Sequence, residues 1–164
     1  MGITVHQTPS DQLFVVKVAP QQRAAAARRL AAVGRVEPLA ESLLLLRAAS
    51  SLGDAKAVWN RARQVLGTAG TVQPVLLDER GAQHYPTGEI SVRFQEPPPD
   101  EVVHDLAAAH GLRLRDRNEF VPEQVVFQPL DAAKSYIPEL VRELSDAGSG
   151  LTVWANTLSH FNRG

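Results

Sequence analysis

Cysteine is absent from the 164 residues, methionine occurs once, and aromatic residues make up 5% of the chain. The first absence excludes disulfides, thiolate metal centres and cysteine nucleophiles, and is neutral about compartment. No apolar run approaches the roughly 20 residues that a bilayer-spanning helix needs. Neither sign of charge dominates, with 17 Lys and Arg against 18 Asp and Glu. An electrostatic footprint for nucleic acid or an anionic membrane is therefore missing. The start MGITVHQTPSDQLFVV has no basic segment leading into an apolar core, so no secretory signal is expected. His6 stands where a myristoylation signal requires Ser or Thr. The expected location is cytoplasmic.

What is present is an ordinary globular composition, 44% hydrophobic and 21% charged. The length suits one domain or two very small ones, which would have to dock because small modules bury a modest fraction of their surface.

The chain begins twice. From Leu13 it reads LFVVKVAP, then the helical stretch QQRAAAARRLAAV up to Gly34; from Ile90 it reads ISVRFQEP, then PPDEVVHDLAAAH up to Gly111. The separations agree: 90 − 13 = 77, 97 − 20 = 77 for the prolines, and 111 − 34 = 77 for the glycines. Each unit continues alike, with RVEPLA and SLLLLRA before the helical DAKAVWNRARQVLG, and LRLRD and QVVFQP before the helical DAAKSYIPELVREL. TVQPVLL and LTVWANTL close the two units as strands. Such a duplication argues for an α+β protein of two tandem ferredoxin-like (βαββαβ) modules, each a four-stranded antiparallel sheet with two helices on one face. The boundaries read as an N-terminal extension 1–12, a first module 13–80 and a second module 81–164. PVLLDERGAQHYPTGEISVRF, Pro74 to Phe94, is the hinge.

Local chemistry adds detail. Asp54 and Asp131, again 77 apart, precede helical stretches and are expected to cap them. Gly34 and Gly111 are expected as left-handed C′ residues. Val102, Val103, Leu106 and His110 are spaced as one helix face. Pro138 is placed in a first helical turn, since the interior would cost about 3 kcal/mol.

Strand alternation assigns faces. Ile90, Val92 and Phe94 form the inward set of the second module, with Ser91, Arg93 and Gln95 outward. By the 77-residue register Leu13 and Val15 are inward in the first module. Phe14, Val16 and Val18 then form an apolar open face, a candidate contact surface unless the strand is buried on both sides.

No catalytic constellation emerges, and neither metal nor cofactor is expected. His104 and His110 do not stack on a helix, and no histidine has a second ligand at zinc-site spacing. Glu101 and Asp105 form an (i, i+4) acidic pair suited to a helix N-terminus. Phosphate loops and nucleophile elbows are missing. RNA-binding sheets carry stacking aromatics on their central strands; here LLLL and VVF offer Phe127 alone.

The segment TGEISVRFQEPPPDEVVHDLAAAHG, continued to LTVWANTL, resembles the propeptide domain of subtilisin-like serine proteases. That family has a strand of the type GEIIVRF, a helix ending in Gly, a strand hairpin, a second helix, and a closing segment of the type VxYAEPN. Val153-Trp154-Ala155-Asn156 is the counterpart of that segment, with Trp154 in the aromatic position and Asn156 where an acidic residue is usual. PVLLDERG before TGEISVRF is similar to the joint in subtilases with two prodomain-like modules in tandem. The resemblance covers nearly everything after residue 12.

It implies a propeptide-like inhibitor, and also a folding chaperone, of a subtilisin-like serine protease. As no protease follows Gly164, it would be free-standing and act in trans. The sheet face would dock on the protease, and Leu158, Ser159, His160, Phe161, Asn162, Arg163 and Gly164 would lie in its substrate cleft as an added strand, Phe161 being the apolar anchor. Trp154 and Asn156 would belong to the docking face. Two rival readings are a paired ferredoxin-like module that clasps a small effector, and a protein–protein adaptor. The first wants Gly-rich or acidic loops after the first strand of each unit, which Ala19-Pro20-Gln21 and Gln95-Glu96-Pro97 do not supply. The second would use the apolar face of the first module.

Overall fold

The computed structural model describes residues 7–49, 53–148 and 150–159. They fall into two compact units, one within His6–Pro86, with which Leu158 and Ser159 group, and one within Thr87–Thr157. The N-terminal unit runs β1 (Thr8–Val18), α1 (Arg23–Leu30), β2 (Gly34–Ala40), β3 (Leu43–Ala48), α2 (Ala55–Leu66) and β4 (Gly70–Leu77). The C-terminal unit repeats the order with β5 (Gln83–Arg93), α3 (Asp100–Ala109), β6 (Leu112–Arg117), β7 (Gln124–Pro129), α4 (Ile137–Asp146) and β8 (Thr152–Ser159). The architecture is mixed α+β with an antiparallel sheet and four helices.

Two separate four-stranded sheets were expected; the strands instead form a single eight-stranded sheet, β2-β3-β1-β4-β5-β7-β6 with β8 paired to β5. The physical reason is the length of β5. Its first residues pair with β4, Gln83 opposite Leu77 and His84 opposite Leu76, while its later residues Ile90 to Arg93 pair with β7. Within the N-terminal unit the order is β2-β3-β1-β4, and within the C-terminal unit β6-β7-β5-β8. β1 opens at Thr8, so part of the expected extension is already strand.

Face assignment in the N-terminal unit departs from expectation. Phe14 lies opposite Leu46 and Val16 opposite Leu44 on β3, and Val36 and Pro38 of β2 lie opposite Leu46 and Leu44 in turn. Directly opposed residues share a face. Val36, Pro38 and Leu44 line a groove together with Ala24 and Ala27 of α1, so this is the helix-covered face. Phe14, Val16 and Val18 are therefore core residues, 0, 0 and 3% exposed, and the proposal of an open contact face made of them is corrected. Leu13, Val15, Leu45, Val75 and Tyr85 form a second buried cluster on the opposite face, joined by Leu39, Leu43 and Leu77. The cause of the misreading is parity. Side chains alternate with period two, so an offset wrong by one residue exchanges the faces. Aligning the core strands requires Phe14 with Ile90 and Val16 with Val92, offsets of 90 − 14 = 76 and 92 − 16 = 76.

Helix ends differ between the units. Asp54 caps α2, its carboxylate accepting from the Ala57 N–H at 2.9 Å. Asp131 leads only into a short 3₁₀ turn, Ala132–Lys134, with no side-chain cap bond, so it does not cap α4 as expected. Pro138 falls in the first turn of α4, where its missing N–H costs nothing. Gly111 has φ of 64° after α3, the left-handed conformation expected of it. Gly34 has no positive φ. It is glycine for a different reason, because a Cβ there would run into the Arg47 carbonyl of β3. On α3 the buried stripe is Val103 and Ala107, while Val102, expected on it, is exposed.

Candidate functional site

The open face of the C-terminal unit is built from polar side chains at alternate positions. Ile90, Val92, Val125 and Phe127 are fully buried, and the paired strands place them on one face. Val103 of α3 and Ile137 and Leu144 of α4 are buried as well. The intervening residues Glu89, Ser91 and Arg93 of β5 and Gln124, Val126 and Gln128 of β7 therefore occupy the other face. Arg113 of β6 stands opposite Gln128 and so joins them.

Side chains on this face hold one another in place. Ser91, 1% exposed, donates its hydroxyl proton to Asn156 Oδ1 at 2.6 Å. The Asn156 carbonyl accepts from Thr87 Oγ1 at 3.3 Å. Arg93 donates to Gln124 Oε1 at 3.0 Å and lies 5.8 Å from the centre of the Trp154 ring. An arginine at that range from an indole is attracted by its quadrupole. Arg113 donates twice to Gln128 Oε1, at 3.0 and 3.2 Å, and Arg115 Nε lies 3.3 Å from Glu89 Oε2. The result is a half-exposed platform of fixed donors and acceptors with one large aromatic, Trp154, partly buried on β8. Such an arrangement can bind; it contains no nucleophile paired with a base.

Of the residues singled out from sequence, Trp154 and Asn156 come together on this platform. Asn156 turns its side-chain oxygen to Ser91 within the unit. Leu158 is 41% exposed on β8, and Ser159 ends that strand. His160, Phe161, Asn162, Arg163 and Gly164 lie outside the described residues. Phe14, Val16 and Val18 are elsewhere, in the core of the N-terminal unit. Sequence reasoning missed the supporting set Glu89, Gln124, Gln128, Arg113 and Arg115; the alternation of polar residues along β5 and β7 was the signal that could have found it.

Among the described residues the remaining titratable groups do not converge. His84 lies 3.0 Å from Asp78 Oδ2 in the β4–β5 turn. The His84 bond, followed by the Ala82 and Arg80 backbone N–H groups, holds the Asp78 carboxyl below its ordinary value. His110 Nδ1 is 3.9 Å from Glu143 Oε2. Glu101 and Asp105 are exposed on α3. Among the described residues no group of three His, Cys, Asp or Glu side chains is disposed to hold a metal ion, and no helix is long and apolar enough to cross a membrane.

No protein-family model fits the sequence, and no curated protein is significantly similar to it.

Proposed function

We propose that the chain is a tandem pair of ferredoxin-like modules acting as a non-catalytic, propeptide-like inhibitor of a subtilisin-like serine protease. Strand orders β2-β3-β1-β4 and β6-β7-β5-β8, with helices after the first and third strands of each unit, support the modular part of this reading. The observation that carries the functional part is the preorganised polar face around Trp154 and Arg93, set on and beside the strand that leads to residues 158–164. In this reading the face docks on the enzyme and the tail adds a strand in the substrate cleft. Stable protein–protein interfaces bury about 1,600 Å² in total. Seven tail residues do not reach that area, so the sheet face must contribute. Fixed side chains lose little entropy on docking, which favours such a face as a recognition surface.

The test is inhibition of a panel of subtilisin-like proteases by the purified full chain, with a chromogenic peptide as substrate. Two variants accompany it, Arg93→Glu and a chain lacking residues 158–164. The expected result is inhibition of at least one enzyme, weakened tenfold or more by either change while the melting temperature stays within a few degrees. Failure to inhibit any member, or inhibition indifferent to both changes, would remove the proposal.

A further inference from the structure

Phe120 is 92% exposed at the tip of the β6–β7 loop, far more than any other large apolar side chain among the described residues. The loop that carries it is not slack. Asn118 Oδ1 accepts the N–H groups of Phe120 and Val121 at 2.8 and 3.2 Å, and the Gln124 N–H donates to the Val121 carbonyl at 2.9 Å. Pro122 further restricts the backbone. Glu119 and Glu123 flank the tip, so the loop presents a fixed aromatic knob with an acidic collar.

A complementary hollow exists on the N-terminal unit. Between α1 and β2 runs an open apolar groove of about 420 Å³, lined by Pro20, Ala24, Ala27, Val36, Pro38 and Leu44, with Arg23 as its one charged residue. It is open because α1 presents alanines there, leaving the space that larger side chains would fill. α1 carries Arg23, Arg28 and Arg29 and no acidic residue. The Arg23 guanidinium has only a 3.5 Å contact to the Glu41 carbonyl. Groove and knob thus match in apolar character and oppose in charge, and the volume is ample for an aromatic side chain together with part of its loop.

We propose that the Phe120 loop of one copy docks in the α1–β2 groove of a second copy, with Glu119 and Glu123 facing the arginines of α1. The contact is heterologous: two different surfaces of the same chain meet, and copies join through unlike patches. Aromatic anchors seated in pockets dominate such contacts. The charge pairing makes the association weaken as salt rises.

Sedimentation velocity of the full chain over a concentration series tests this, with Phe120→Ser and Ala24→Glu as variants. Both positions are exposed, so folding is expected to survive, and melting curves check that it does. Wild-type chain is expected to self-associate with a Kd tighter than about 1 mM, and each variant to weaken association at least tenfold. Decisive is the mixture. Phe120→Ser keeps the groove and Ala24→Glu keeps the knob, so the two inert variants are expected to associate with each other. A monomeric wild-type chain, association unaffected by both variants, or failure of the mixture to associate would overturn the proposal, the first of these leaving Phe120 for a foreign partner.

Discussion

The two units share an element order and a strand order, yet at equivalent positions of their first strands they use opposite chemistry on the face away from the helices. In the N-terminal unit that face begins Leu13, Val15, Lys17; in the C-terminal unit, offset by 76 residues, it begins Glu89, Ser91, Arg93. Leu13 and Val15 are buried in an apolar cluster with Tyr85, whereas Ser91 and Arg93 are tied to Asn156, Gln124 and Trp154. Nearly the same backbone pattern therefore supports a strand apolar on both faces in one unit and a polar, internally bonded face in the other. An antiparallel sheet tolerates both, because its two faces are chemically independent.

The comparison can be broken most directly at Phe14. Fully buried on the helix face, Phe14→Ala is expected to cost about 3–5 kcal/mol, read as a lowered guanidinium midpoint; a loss below about 1 kcal/mol would mean that this side chain is not packed in the core. Next come the two glycines. Gly34→Ala drives a methyl into the Arg47 carbonyl and is expected to cost about 3 kcal/mol, while Gly111→Ala, with open space but a left-handed backbone, is expected to cost about 1 kcal/mol. Equal losses would erase the distinction between close approach and backbone conformation.

The outer faces are compared by Val15→Ser and Ser91→Ala. The first places a hydroxyl in an apolar cluster, for about 2 kcal/mol. The second removes the hydroxyl bonded to Asn156, for about 1 kcal/mol. Smaller still is the cap contrast, with Asp54→Ala costing about 1 kcal/mol and Asp131→Ala less than about 0.5 kcal/mol.

Acidification gives the last and slightest effect. Asp78 is held below its unfolded value by His84 first, so its contribution is present above the unfolded carboxylate range. It is lost as pH falls through the lowered folded value. Asp78→Asn is expected to flatten the acid limb of the melting temperature profile without changing its neutral plateau shape.

Much of this was legible before the structure. The repeat announced itself in prolines, glycines and helical stretches spaced 77 apart, and Asp54 and Pro138 stand where elementary helix chemistry puts them. The platform was half legible. Ser91 and Arg93 alternate with Ile90 and Val92, but their partners Asn156 and Gln124 are 65 and 31 residues distant, and only strand pairing brings them near. The facing of β1 was illegible because Leu13 to Val16 are all apolar, so no polar residue marks a side. Asp131 misled because the residues after it form a separate 3₁₀ turn before α4 begins.

The sequence by itself determined the succession of strands and helices, since alternation, capping and helix-breaking residues act over a few neighbours. Tertiary structure alone decided which face of β1 meets the helices and that β5 serves partners on both of its stretches. It also decided which polar groups share the surface around Trp154. Those outcomes depend on registry between strands far apart in the chain, where a slip of one residue reverses every side chain and nothing local resists it.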